Sequence, residues 1–428
     1  MSKIKNFPYS VWYLILLSSI TLVIWSFHLE NVGIPAVLVL MFLFFVFSKD
    51  TMPTVPLFMN GLFMVSQTNW SFETIPLFIF MTPLAIIGGM IVHIIKYRVD
   101  IFKGKMLLGI GIMILAMALS SINAVTVDLY YFFYCLIGVF YALVYMFYRN
   151  TFDRDHTAYL MKMMLILGIL ISAQVVIYYL YVEDIRIALE QKSINLGWGI
   201  SNYIATYLIM FISITFYFVK KTKFGFLWIF VAVGEMVMLV FTASRGGMVA
   251  FAVLLPILIV LLFWKAKNWW KFILSFLFSA VILYILIYYN YDFVSSVLFR
   301  FENLMFDDSG RFEIYLDALS KFMSNPLFGA GLFARTGTGD FRMFHNTFLH
   351  TLATMGLVGI VGLIVQLWTQ FKITIGKFKN VNLFLVVALL GAHIHGMVDN
   401  IYYMPQFMIL MLLIVSVAEF STELEVSK

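Results

Sequence analysis

Apolar runs of membrane-spanning length alternate with short charged gaps along most of this chain, and the basic clusters fall in every second gap. A span needs about 20 predominantly apolar residues, because the hydrocarbon core is about 30 Å thick and a helix rises about 1.5 Å per residue. The runs lie at about 11–27, 32–47, 51–66, 75–95, 106–124, 129–147, 160–182, 199–219, 224–243, 246–264, 272–289, 346–371, 381–398 and 401–419. Lys3 and Lys5 precede the first, Lys49 follows the second, and Lys96, Arg98, Lys103 and Lys105 follow the fourth. Arg149, Arg154 and Lys162 follow the sixth, and Lys220, Lys221 and Lys223 the eighth. Lys265, Lys267 and Lys271 follow the tenth, and Lys372, Lys377 and Lys379 the twelfth. Cytoplasmic loops are the ones rich in Lys and Arg. One arrangement fits throughout: 14 spans with both termini inside. It puts twenty of the 28 basic residues in the cytoplasm and eight outside. A cation on the outer side then needs a reason.

The fold class is therefore an all-α polytopic integral membrane protein, with 1–428 as a single transmembrane domain. The chain is 63% hydrophobic and only 12% charged. Its net charge of +6 is the cytoplasmic basic excess, which points to anionic lipid headgroups and not to nucleic acid. Cys135, the only cysteine, lies in an apolar run, so an internal disulfide is excluded and a packed thiol is expected. The first run follows basic residues as a signal peptide would, but no small-residue cleavage site follows, so it reads as a retained anchor. The third run is the weakest, interrupted by Pro53, Pro56, Asn60 and Gly61.

Two outer segments are longer than the rest. Glu183–Gly197 is amphipathic and is expected to form an interfacial helix. The long extracytoplasmic loop, 290–344, carries five of the eight outward cations: Arg300, Arg311, Lys321, Arg335 and Arg342. Loops held by a rigid scaffold carry function. Glu235 falls in the middle of the ninth run, where a charge is costly, and is expected to face the bundle interior, protonated or paired.

Three constellations could carry chemistry. Ser244-Arg245-Gly246-Gly247 sits between two runs with almost no loop. Arg245 there could snorkel to headgroups, or act as an anion clamp, because a guanidinium fork matches phosphate oxygens. Ser309-Gly310-Arg311-Phe312 opens a helical stretch, which Asn325-Pro326-Leu327-Phe328-Gly329-Ala330-Gly331 ends with turn residues. His345-Asn346-Thr347-Phe348-Leu349 opens the twelfth run, where His345 could be structural or could accept a proton.

Taken in order, these pieces resemble the O-antigen ligase and O-antigen polymerase family of bacterial surface-polysaccharide enzymes, the Wzy-type polymerases and WaaL-type ligases. The matching stretch is 242–362: S-R-G, then G-R with a helical segment, P-x-x-G-x-G, and H-N-x-F-L leading into T-x-x-x-G-L-x-G-x-x-G at Thr351–Gly362. His395 and Asp399 are similar to a late His-to-Asp feature of many members; four residues apart, they are expected to share one helix face. The resemblance implies a GT-C-like architecture with one long outer loop. It implies a glycosyltransferase that takes a glycan from undecaprenyl pyrophosphate, on the outer face of the bacterial cytoplasmic membrane, to a sugar hydroxyl. It also implies membrane lipids, a flippase and a chain-length regulator as partners. His345 would be the catalytic base, and Arg245 and Arg311 would bind the pyrophosphate. His395, Asp399, Arg300 and Arg335 would support them. No cofactor or metal is expected, since no outer loop has His/Cys/Asp/Glu at metal-ligand spacing and His28–Val32 lacks paired acidic residues. A polymerase leads. A ligase is the close alternative. A lipid-linked oligosaccharide flippase is disfavoured by the lack of an internal repeat and of charges within most spans.

Overall fold

The structure is a computed structural model of the chain that describes residues 6–67, 76–267, 269–289, 295, 310–335, 343–375 and 380–426. Among the described residues it is all helical, with no strand. The α-helices are α1 (Val11–Ser26), α2 (Glu30–Phe47), α3 (Thr54–Phe63), α4 (Leu77–Tyr97), α5 (Leu107–Leu119), α6 (Leu129–Thr151), α7 (Thr157–Tyr181) and α8 (Ile185–Glu190). They continue with α9 (Ser201–Lys221), α10 (Gly225–Phe241), α11 (Arg245–Phe263), α12 (Trp269–Tyr289), α13 (Arg311–Ser324), α14 (Thr347–Ile375), α15 (Asn380–His395) and α16 (Pro405–Val426). Eight are long and apolar enough to span a membrane, and six shorter apolar helices occupy the other expected runs. The protein is a polytopic membrane protein.

The chain forms two compact units. The first contains Met1–Arg98, His156–Met305 and Lys379–Ala392; the second contains Val99–Asp155, Phe306–Phe378 and His393–Lys428. In the first, α9 is the axis: every residue from 204 to 216 is buried, and α7, α10 and α11 pack around it. Several polar groups drawn into this interior pair with one another, as an unmet polar group in hydrocarbon costs several kcal/mol. Asn60 of the short α3 accepts the hydroxyls of Ser18 (3.2 Å) and Thr21 (2.9 Å) and donates to the Pro56 carbonyl. The weak third run is thus a buried ten-residue helix. Glu235 faces the interior as expected: it is buried, accepts from the Thr215 hydroxyl at 2.8 Å, and abuts Gly168.

The 183–197 segment corrects the expected interfacial helix. Only six residues, Ile185–Glu190, are helical, behind an Asp184 cap. The rest turns inward, burying Ile194, Leu196 and Trp198. Trp25 donates its indole N–H to the Leu196 carbonyl, and Trp198 donates to Gln174. Burial against α1 and α7 prevailed over the membrane surface.

In the second unit α16 packs on α6, and α14 on α5. A Cβ at Gly109 would lie 2.8 Å from the Gln366 backbone, so α5 and α14 cross with their main chains in contact. Glu419 joins α16 to α6: it accepts from the Tyr145 hydroxyl, pairs with Arg149 at 3.5 Å, and accepts the Lys105 amide.

Candidate active site

The start of α14 is fixed by the side chain of Asn346. Its oxygen accepts the amides of Phe348 (2.9 Å) and Leu349 (3.0 Å), a helix N-cap. Its amide group donates to the Met397 carbonyl at 2.7 Å, and the Thr347 amide donates to Gly396 at 2.9 Å. The Thr347 hydroxyl donates to the Asp399 carbonyl at 3.1 Å. The Asn of H-N-x-F-L therefore ties the mouth of α14 to the turn that follows α15.

That tie brings His345 to Asp399. His345 Nδ1 lies 3.5 Å from Asp399 Oδ1, with the imidazole 39% exposed and the carboxyl 7% exposed. The histidine backbone is left-handed, φ 49°, a conformation that costs free energy in a non-glycine residue and collects at functional sites. Its carbonyl accepts the hydroxyl of Tyr315 on α13 at 3.1 Å. Burial alone would raise the Asp399 pKa. The hydrogen bond from His345, the charge of His395 and the Asn400 amide outweigh it and hold the carboxyl at about 2. Asp399 is thus anionic at neutral pH. Nδ1 of the imidazole is turned to it, and Nε2 is the ring nitrogen on the other side.

The rival histidines are core residues. His350 is buried, receives the Phe344 amide on Nδ1 at 3.4 Å, and packs its ring 4.3 Å from that of Tyr403. His395 is also buried. The expectation that His395 and Asp399 share a helix face is corrected: α15 ends at His395, and Asp399 lies in the turn beyond. Asp399 feels the charge of His395 and lies within ion-pair distance of His345.

The expected arginines divide between the units. Arg311, half-buried, is the first residue of α13, one turn before Tyr315, and both it and Asp399 act electrostatically on the Tyr315 hydroxyl. Arg335 donates to the Met343 carbonyl at 2.8 Å, holding the chain that leads into His345. Arg245 belongs to the first unit, half-buried at the first turn of α11 behind a Ser244 cap; Ser244 itself donates to Asn202 at 2.8 Å. Arg300 lies outside the described residues.

The glycine motifs have a structural meaning. At Gly356, α14 is broken by a non-helical residue, φ 61° and ψ −153°. The break leaves main-chain groups without helical partners, and the 326–331 loop supplies them. Ala330 and Gly331 donate to the carbonyls of Ala353 (2.9 Å) and Thr354 (3.1 Å). Leu357 and Val358 donate to Pro326 (2.9 Å) and Leu327 (3.2 Å). A Cβ on Gly329 would lie 2.3 Å from the Thr354 backbone, and one on Gly356 would lie 2.6 Å from that of Gly329. The loop is seated main chain to main chain. Above it, Ala318 of α13 packs with Ala330, Ala334, Phe344 and Ala353, so the same seat carries α13 and the approach to His345.

Tyr315 and Tyr403 were missed by sequence reasoning. Tyr403, whose hydroxyl lies 2.9 Å from that of Thr351, braces the inner side of the site. Neither stands in a motif, and each is one of 23 tyrosines.

Residues 227–364 match the family model described as O-antigen ligase. No curated protein matches the chain. The matched region begins in α10, ends in α14, and encloses the 242–362 stretch singled out in the sequence. The S-R-G turn, the seated glycine loop and His345 with its Asn346 cap all lie inside the region that is similar to the O-antigen ligases.

Proposed function

We propose that this protein is a bacterial surface-polysaccharide polymerase. It transfers an undecaprenyl-pyrophosphate-linked glycan to an acceptor sugar hydroxyl on the outer face of the cytoplasmic membrane. The observation that carries this reading is the pairing of His345, inside the family-matched region, with Asp399 beyond its end. His345 Nε2 takes the acceptor proton as the oxygen attacks the anomeric carbon. The bond to the pyrophosphate oxygen breaks, and its electron pair leaves with the pyrophosphate. Asp399 stabilises the imidazolium that results. One direct displacement inverts the anomeric centre. The leaving group is already good, so the base and fixed cations are the groups the reaction needs. Arg311 and Arg245 are assigned to the pyrophosphate, with a metal-independent mechanism. A flippase and a chain-length regulator are the partner proteins of this reading.

The matching family's own description favours a second reading, a ligase that joins a finished glycan to a different acceptor. The same base and cations would serve.

The test is purified enzyme in detergent with synthetic lipid-linked repeats and a chelator, offered either a second repeat or a lipid-core saccharide as acceptor. His345→Ala should lower the rate by about 10²–10⁴-fold, the contribution of a positioned base. A wild-type rate for His345→Ala would remove the assignment. Loss of activity with chelator would overturn the metal-free mechanism. Transfer to the core saccharide alone would make it a ligase.

A further inference from the structure

In the first unit, the turn between α9 and α10 and the turn between α11 and α12 enclose a cavity of about 470 Å³. That volume lies within the range of ligand pockets, roughly 300–1,000 Å³. Six lysines line it: Lys220, Lys221, Lys223, Lys265, Lys267 and Lys271. No carboxylate is among the described residues lining it. The charge rule for cytoplasmic loops asks only that cations stand on one side of the membrane. It does not ask that two separate turns aim theirs into one cavity without a counter-charge, an arrangement that costs free energy through repulsion.

Helix capping accounts for one of the six. Lys220 donates its ammonium to the Leu261 carbonyl near the end of α11, where cations are favoured. Lys265 is different. It follows the end of α11 with a left-handed backbone, φ 56°, which glycine would adopt at less cost. The left-handed residue caps the end of α11, and it leaves the lysine side chain among those lining the cavity.

The surroundings define the ligand. Trp264, Trp269 and Trp270 are largely exposed beside the cavity, as aromatic residues are at the membrane interface. Lys271 lies 5.4 Å from the centre of the Trp270 ring and Lys223 5.5 Å from that of Phe224. Farther along α12, Leu274, Leu277 and Phe278 are exposed. A ligand with a phosphate head and apolar tails satisfies both surfaces; a soluble anion satisfies only the first. We infer that this lysine-lined cavity binds the headgroup of an anionic phospholipid, drawn from the leaflet that the charge pattern assigns to the cytoplasm. The inference is independent of the glycosyl-transfer reading.

The test uses the full chain in a zwitterionic detergent. Tryptophan fluorescence follows titration with short-chain phosphatidylglycerol, with phosphatidylcholine, and with inorganic phosphate as competitor. Wild type should bind phosphatidylglycerol in preference to phosphatidylcholine. Each lysine removed by Lys221→Gln, Lys223→Gln or Lys267→Gln should weaken phosphatidylglycerol about fivefold, from roughly 1 kcal/mol per surface cation. Lys265→Gly keeps the left-handed turn and deletes only the charge, so it should lose affinity without losing thermal stability. Lys221→Arg should retain binding. Equal affinity of wild type for the two lipids, or an unchanged affinity in the triple Gln variant, would overturn the site. Displacement of phosphatidylglycerol by millimolar inorganic phosphate would make it a free-anion site and overturn the lipid assignment.

Discussion

Asp399, in the mechanism proposed above, also bears on the acid stability of the protein. Asp399→Asn keeps the shape but removes the charge that supports the imidazolium. Steady-state assays should show a fall in kcat approaching the roughly 10²-fold lower end of a base's contribution, with KM for the lipid donor little changed. An unchanged kcat would remove Asp399 from the mechanism. The same carboxyl titrates at about 2 in the folded protein, against about 3.9 in an unfolded chain. A depressed pKa stabilises above the unfolded value and loses that contribution as pH falls through the folded one. Thermal unfolding should therefore show roughly 2 kcal/mol lost between about pH 4 and pH 2, and Asp399→Asn should flatten that part of the profile. For the arginines, Arg→Lys keeps charge but loses the fork. Arg245→Lys should be impaired at near-normal protein levels, and full polymer production by both Arg245→Ala and Arg311→Ala would end the pyrophosphate assignment. In the sequence, His345 and the arginines stood out as chemical types in unusual places, and Asp399 only through the resemblance. The partner of Asp399 was not legible there. It depends on α15 stopping at His395 and on the Asn346 cap reaching across to Met397, contacts over 51 residues of sequence that spacing along one helix cannot express.

Among the elements, the loop seated in the break of α14 is the one most exposed to single changes. Alanine at Gly329 or Gly356 would meet backbone and adopt a left-handed conformation. Left-handed backbone alone costs roughly 1–2 kcal/mol in a residue with a Cβ. Each variant should lose more than that in detergent melts, and Gly329→Ala should also lose activity although His345 is untouched. A Gly329→Ala protein with wild-type melting and rate would show that the seat does not position the site. The sequence announced a turn at 325–331 and a helix from 346, and both are present. It concealed the break, because the apolar run continues unchanged through Gly356 and hydropathy does not register main-chain hydrogen bonds. The segment at 183–197 fails for a related reason: an amphipathic pattern fits a membrane surface and a protein interior equally well, and only the positions of Trp25 and Gln174 decide between them.

For the molecule as a whole, alternating charge and hydropathy gave the helical membrane architecture and the approximate place of each helix, since lipid imposes those terms on any chain. The long apolar runs left no choice of fold class. Orientation remains an expectation of the charge pattern, and reporter fusions at Lys221 and Asp308 should report opposite sides of the membrane; a shared side would remove the 14-span arrangement. In the second unit, Glu419→Ala would remove a buried carboxylate that pairs with Arg149, 6% exposed, and accepts from the Tyr145 hydroxyl. Removing one partner of a buried pair costs roughly 3–5 kcal/mol, so this variant should melt early, whereas a melting point within a degree of wild type would make the pair incidental. The seat in α14 has a wider consequence. A loop gripped by carbonyls and amides depends on its glycines and on the small Ala330 more than on the chemistry of its other side chains. Substitutions on its outer side should leave the register of the scaffold beneath unchanged.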